Sequence, residues 1–198
     1  MRHIHQHLHE KYTDWPLSGS YLQAHDIGQF EGAIEAYPYY DEGVLRESGY
    51  FDINSVTWWL LKHRGLTLFG TNPQHLDFDV DWDKLIADMR ENLNTYWVQF
   101  TRLNKRLGWL LTDDGIQWTV LGALRQFYTF REHNITSKIG AGEYGLQHLP
   151  QRWHTIIQEA LNIRNQVGIP QYRFRILRAI EAYRFMKYII YFCNTIFD

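Results

Sequence analysis

Four histidines, His3, His5, His7 and His9, alternate near the start of the chain, and on a helix His5 and His9 would share one face at metal-ligand spacing. A zinc or nickel site needs a second pair of ligands beside them; without one, the run reads as a solvated terminal helix. Asp77, Asp79, Asp81 and Asp83 alternate with Leu76, Phe78, Val80 and Trp82, and Asp88 falls at the twelfth place of a calcium loop begun at Asp77. Such a loop requires glycine at its sixth place and a bidentate Glu at its twelfth. Trp82 and Asp88 stand there, so the segment reads as a solvated strand-to-helix link. A metal-dependent nucleotidyl-transfer centre requires an Asp-x-Asp pair shortly after a Gly-Ser turn. The one Gly-Ser is Gly19-Ser20, and a single acid, Asp26, follows it as far as Gln29. No metal-ligand set is predicted.

The elements that position side chains follow from periodicity. Glycines and prolines are scattered through residues 1–70, whereas residues 84–132 hold no proline and few glycines. The predicted boundary therefore separates a small α/β region, 1–70, from a helical region, 71–198. In the first, Ser20-Tyr21-Leu22 and Leu66-Thr67-Leu68-Phe69 are β-prone runs, and Val56 to Lys62 follows the capping types Asn54-Ser55. In the second, Leu85, Met89, Leu93, Tyr96, Trp97 and Phe100 recur at helical spacing behind Asp81 and Asp83. After the punctuation of Asp113-Asp114-Gly115, a second long helix runs from Trp118 to Arg131. Ser137 caps a helix through Leu146, another covers about Gln151 to Asn165, and a last one runs from Tyr172 to Phe197. The predicted fold is mainly α: an antiparallel bundle of four to five helices behind a small α/β lobe.

Composition removes several function classes. Twenty Lys+Arg against 22 Asp+Glu leave a net charge of −2, which offers no basic field for nucleic acid. A hydrophobic fraction of 45%, with 16% aromatic residues, requires a packed core. The single cysteine, Cys193, cannot form an intramolecular disulfide, and it lies among Tyr191, Phe192, Ile196 and Phe197, where a thiol is inert packing. With no apolar leader and no long uncharged run, a soluble cytoplasmic protein without a membrane partner is expected.

Four segments in order carry a family resemblance. They are Trp15-Pro16-Leu17-Ser18-Gly19-Ser20-Tyr21; Asp52-Ile53-Asn54-Ser55-Val56-Thr57-Trp58 leading to Arg64-Gly65 and Leu68-Phe69-Gly70; Asn94-Thr95-Tyr96-Trp97; and Ile135 to Leu146 with His148-Leu149-Pro150 and Trp153 to Arg164. Together they resemble the aminoglycoside adenylyltransferases that act on streptomycin and spectinomycin. In that family a nucleotidyltransferase domain supplies magnesium ligands and a general base, and a helical bundle closes over ATP and drug. The resemblance implies that residues 1–70 are a remnant of the first domain and 71–198 the whole of the second.

Residue by residue, the resemblance implies that Lys138 reaches the ATP phosphates. Arg164 stands where some relatives place a nucleotide-contacting tyrosine; it would clamp phosphate or pair with Glu159 or another acid. Asp113 and Asp114 match the loop that presents acids and a tryptophan to the cationic drug, and helix capping explains them equally well. Ser18 stands where relatives carry the general-base glutamate, a task serine cannot perform at neutral pH. ATP and magnesium are the implied co-substrate and cofactor, although the Asp-x-Asp segment would lie ahead of Met1. An aminoglycoside-like molecule and a separate catalytic domain or a second copy are the implied partners. A non-catalytic binding module is the alternative.

Overall fold

The computed structural model describes residues 2–11, 18–102 and 108–196, so Trp15-Pro16-Leu17 and Phe197 lie outside the described residues. The chain divides into two compact units, Met1–Leu85 and Ile86–Asp198. In the first, α1 (Arg2–Lys11) precedes a three-stranded antiparallel sheet of β1 (Gly19–Ser20), β2 (Tyr37–Asp41) and β3 (Val44–Gly49), followed by α2 (Ser55–Arg64). The β2–β3 hairpin, which periodicity did not flag, turns at Glu42-Gly43. Both residues adopt positive φ (48° and 81°), as a tight hairpin requires.

His5 is buried, in contrast to the solvated histidine helix expected from the sequence. Its ring stacks on Tyr40 at 3.8 Å, and its Nε2 is hydrogen-bonded to the Tyr21 hydroxyl. Burial holds its pKa below the ordinary histidine value. Asn54 caps α2 by accepting from Thr57 N at 3.0 Å, as its residue type predicts. Leu66-Thr67-Leu68-Phe69, read as a strand, forms none. Leu66, Leu68 and Phe69 are 90%, 99% and 100% exposed, and among the described residues they pair with no strand.

The unit boundary falls within α3 (Trp82–Thr95), whose first turn is capped by Asp81 accepting from Asp83 N and Lys84 N. The second unit is built on α4 (Asp113–Glu132), which packs against α5 (Lys138–His148), α6 (His154–Arg164) and α7 (Arg175–Ile196). The capping signals locate these helices closely: Ser137 accepts from Gly140 N at 3.0 Å to start α5, and His133, at φ 47°, ends α4. Asp113-Asp114-Gly115, read as punctuation, instead forms the first turn of α4, because Thr112 is the cap. Cys193 is buried on α7, and burial pushes its thiol up to about 12. Among the described residues no helix is long and apolar enough to cross a membrane.

Close approach at the middle of α4 depends on Gly122. A Cβ there would lie 2.2 Å from the Trp97 indole, which is buried against the helix. Gly122→Ala would gain about 1 kcal/mol of helix propensity and lose about 1–3 kcal/mol to overpacking. The expected result in urea unfolding is a stability lower by up to about 2 kcal/mol, whereas a rise would show that the indole yields freely.

Candidate functional site

The start of α4 sets two acids side by side. Thr112 N and Oγ1 both donate to Trp109 O (2.9 and 2.8 Å), and Thr112 Oγ1 accepts from Gly115 N at 3.0 Å. This tight turn brings the backbone so close that a Cβ on Gly115 would sit 2.0 Å from Trp109 O. Asp113 and Asp114 therefore occupy a helix N-terminus, where carboxylates are favoured. They then part company. Asp113 Oδ1 meets Arg178 Nη1 at 2.7 Å, while Asp114 Oδ1 accepts from Gln117 Nε2 at 3.0 Å. Gln117 Oε1 in turn accepts from Arg164 Nη1 at 3.4 Å.

Lys138, the first residue of α5, extends toward the same face of α4. Its ammonium lies 4.0 Å from the centroid of the Trp118 ring, and Trp118 is 43% exposed. Burial, with the nearby charges of Arg164 and Arg125, lowers the Lys138 pKa to about 8. Three cations from α4, α5 and α6 are thus gathered closely enough for like charge to be felt. An anion among them would offset that repulsion and favour the protonated lysine.

A second polar cluster lies behind Asp113. Arg178 Nη1 also meets Glu159 Oε1 at 3.0 Å, and Nη2 donates to Leu111 O at 3.1 Å. Glu159 Oε2 accepts from Gln171 N at 2.6 Å. Both side chains of the Glu159–Arg178 pair are more than nine-tenths buried. Beside them opens a cleft of about 500 Å³.

Of the residues singled out from sequence, Lys138 and Arg164 come together, and Asp114 joins Arg164 through Gln117. Asp113 faces the other way, toward Arg178. Arg164 does not take Glu159 as its acid, because Arg178 does. Ser18 is exposed and its hydroxyl donates to Asp41 Oδ1 at 3.3 Å. Sequence reasoning missed Gln117, Trp118 and Arg125 as site residues. The signal was present: Asp114, Gln117, Trp118, Leu121 and Arg125 follow one face of α4 at helical spacing. The Glu159–Arg178 pairing carried no local signal. Among the described residues, no group of three or more His, Cys, Asp or Glu could hold a metal ion.

Two measurements check this geometry. Lys138 has a folded-state pKa below its ordinary 10.5, so between about 8 and 10.5 the unfolded chain holds more protons than the folded one. Stability should therefore rise with pH across that window in chemical denaturation, and the rise should vanish in Lys138→Gln. Separately, Arg178→Met leaves Glu159 buried without its counter-charge and should cost about 3–5 kcal/mol. Adding Glu159→Gln should recover part of that loss; strict additivity of the two changes would mean that the charges are not coupled.

A comparison of the whole chain with curated proteins finds no match. The model of the aminoglycoside adenylyltransferase C-terminal domain matches residues 100–187. That span holds the capped start of α4, the Lys138 cluster and the Glu159–Arg178 pair. Residues 100–187 are thus similar to the C-terminal domain of the aminoglycoside adenylyltransferases, and the similarity lies in the helical unit.

Proposed function

We propose that the helical unit is the nucleotide- and drug-holding half of an aminoglycoside adenylyltransferase-type system. The observation that carries this reading is Lys138, whose ammonium lies 4.0 Å from the centroid of the exposed Trp118 ring and within electrostatic reach of Arg164 and Arg125. Guanidinium and ammonium groups are the natural partners of a polyphosphate, with Arg forking onto two oxygens and Lys acting as a point charge. Lys138 and Arg164 would hold the ATP phosphates. Asp114, steadied by Gln117, would face a cationic amine of the aminoglycoside. Asp113 would contribute less, because Arg178 already claims its carboxylate.

The family reaction moves AMP from Mg-ATP to a drug hydroxyl: an O–P bond forms at the α-phosphorus, the bond to pyrophosphate breaks, and a base accepts the hydroxyl proton. Among the described residues no group of three or more His, Cys, Asp or Glu could hold a metal ion. In this reading a separate catalytic domain, or a second chain that carries one, would bring the carboxylates and the base. A polyphosphate held by the bundle would be aligned for that partner.

Calorimetry of the full chain with ATP tests the reading. ATP should bind, with Lys138→Gln and Arg164→Gln each weakening it by about tenfold. Affinity should also fall as pH rises through about 8, where Lys138 gives up its proton. Absence of ATP binding, or affinity indifferent to both substitutions, would overturn the proposal. Binding of ATP without AMP transfer to streptomycin or spectinomycin would mark a holding module that needs its catalytic partner.

A further inference from the structure

The 500 Å³ cleft beside Arg178 lies within the size range of small-molecule sites, yet Lys138, Arg164 and Arg125 do not line it. Its wall runs from the end of α6 through Gln166 and Tyr172 to the first turn of α7. Three arginines line it, Arg173, Arg175 and Arg178, against two carboxylates, Asp113 and Glu159, a surplus of 3 − 2 = +1. The carboxylates are both committed to Arg178. Neither Arg173 nor Arg175 meets a carboxylate at ion-pair distance among the described residues; both are exposed, and Arg173 rests 5.2 Å from the Phe174 ring centroid.

Arg178 is the buried member of the three. Its side chain is only 7% exposed, and its Nε–H has no hydrogen-bond partner although both terminal nitrogens do. Its two terminal nitrogens are taken by Asp113, Glu159 and Leu111 O, so it contributes fixed positive charge to the cleft wall while Arg173 and Arg175 keep their guanidinium groups exposed. A cationic ligand would add to the surplus of positive charge, whereas an oxyanion would offset it.

We propose that this cleft is a second anion site, which takes a small molecule bearing a phosphate or carboxylate group. Arg173 and Arg175 fork onto the oxyanion and Arg178 forms the floor. Asp113 sits at the wall as a competing carboxylate on Arg178, so occupancy of the cleft and the orientation of Asp113 are linked. The site is separate from the Lys138 cluster and does not rest on the function assigned to it.

Arginine Nε–Hε resonances of the full chain give a direct readout, titrated without metal by pyrophosphate and, separately, by citrate, with sodium chloride as the ionic-strength control. The signals of Arg175 and Arg178 should move along a saturable curve with at least one of the two anions, and the tighter one identifies the oxyanion class. Arg173→Gln/Arg175→Gln should weaken that binding by about tenfold or more, and Asp113→Asn should tighten it. Both arginines are exposed, so the variant should keep its fold, checked by an unchanged thermal midpoint. Signals that move only as they do with chloride, or saturation unchanged in the double variant, would overturn the proposal.

Discussion

Arg178 is almost wholly buried, and its guanidinium reaches two separate stretches of chain: Leu111 O and Asp113 at the start of α4, and Glu159 on α6. A charge taken out of water is tolerated only beside opposite charge and hydrogen-bond acceptors. The start of α4, the body of α6 and the first turns of α7 are therefore held in one register. Glu159 extends the constraint to residue 171 by accepting its backbone N–H at 2.6 Å. The same contact divides the two neighbouring acids. Asp113 turns toward Arg178, and Asp114 is left to Gln117 and the outer face of α4.

With that register held, close helix packing brings like charges together. Gly142 on α5 lies where a Cβ would be 2.6 Å from Leu161 of α6 and 2.9 Å from Leu121 of α4, so α5 seats tightly against both. Lys138 at its first turn is then drawn among Arg125 and Arg164 and partly buried. Burial and like charge oppose a protonated lysine, and such unfavourable gatherings mark places where a ligand supplies the missing charge. The two polar clusters thus differ in kind. Around Arg178 two carboxylates meet the guanidinium directly, whereas Lys138 lies against the exposed Trp118 ring near the charges of Arg164 and Arg125.

Many of the helices were legible because helix ends are local chemistry. Ser137 and Asn54 cap where their residue types say they should, and Asp81 opens α3 through its own side chain. The hairpin of β2 and β3 was not read, since its tyrosines break strict alternation and a register shift falls between Tyr37 and Tyr39. Leu66 to Phe69 shows the converse. Strand-forming residue types are necessary for a strand, but the ladder needs a partner edge, and propensity does not reveal whether one is present.

What the sequence by itself determined is therefore what depends on neighbours a few residues away: the helices, their caps, the helical class of the second unit, and the short motif around Ser137-Lys138 that carries the family resemblance. Only the tertiary structure decided which charges meet. Glu159 could pair with Arg164, five residues along its own helix, or with Arg178 on another. The structure pairs it with Arg178, across the core. Arg164 is left on the exposed face with Gln117 and near Lys138. The physical reason is that a buried carboxylate takes the cation buried with it, and burial is a property of packed helices that no spacing along the chain encodes.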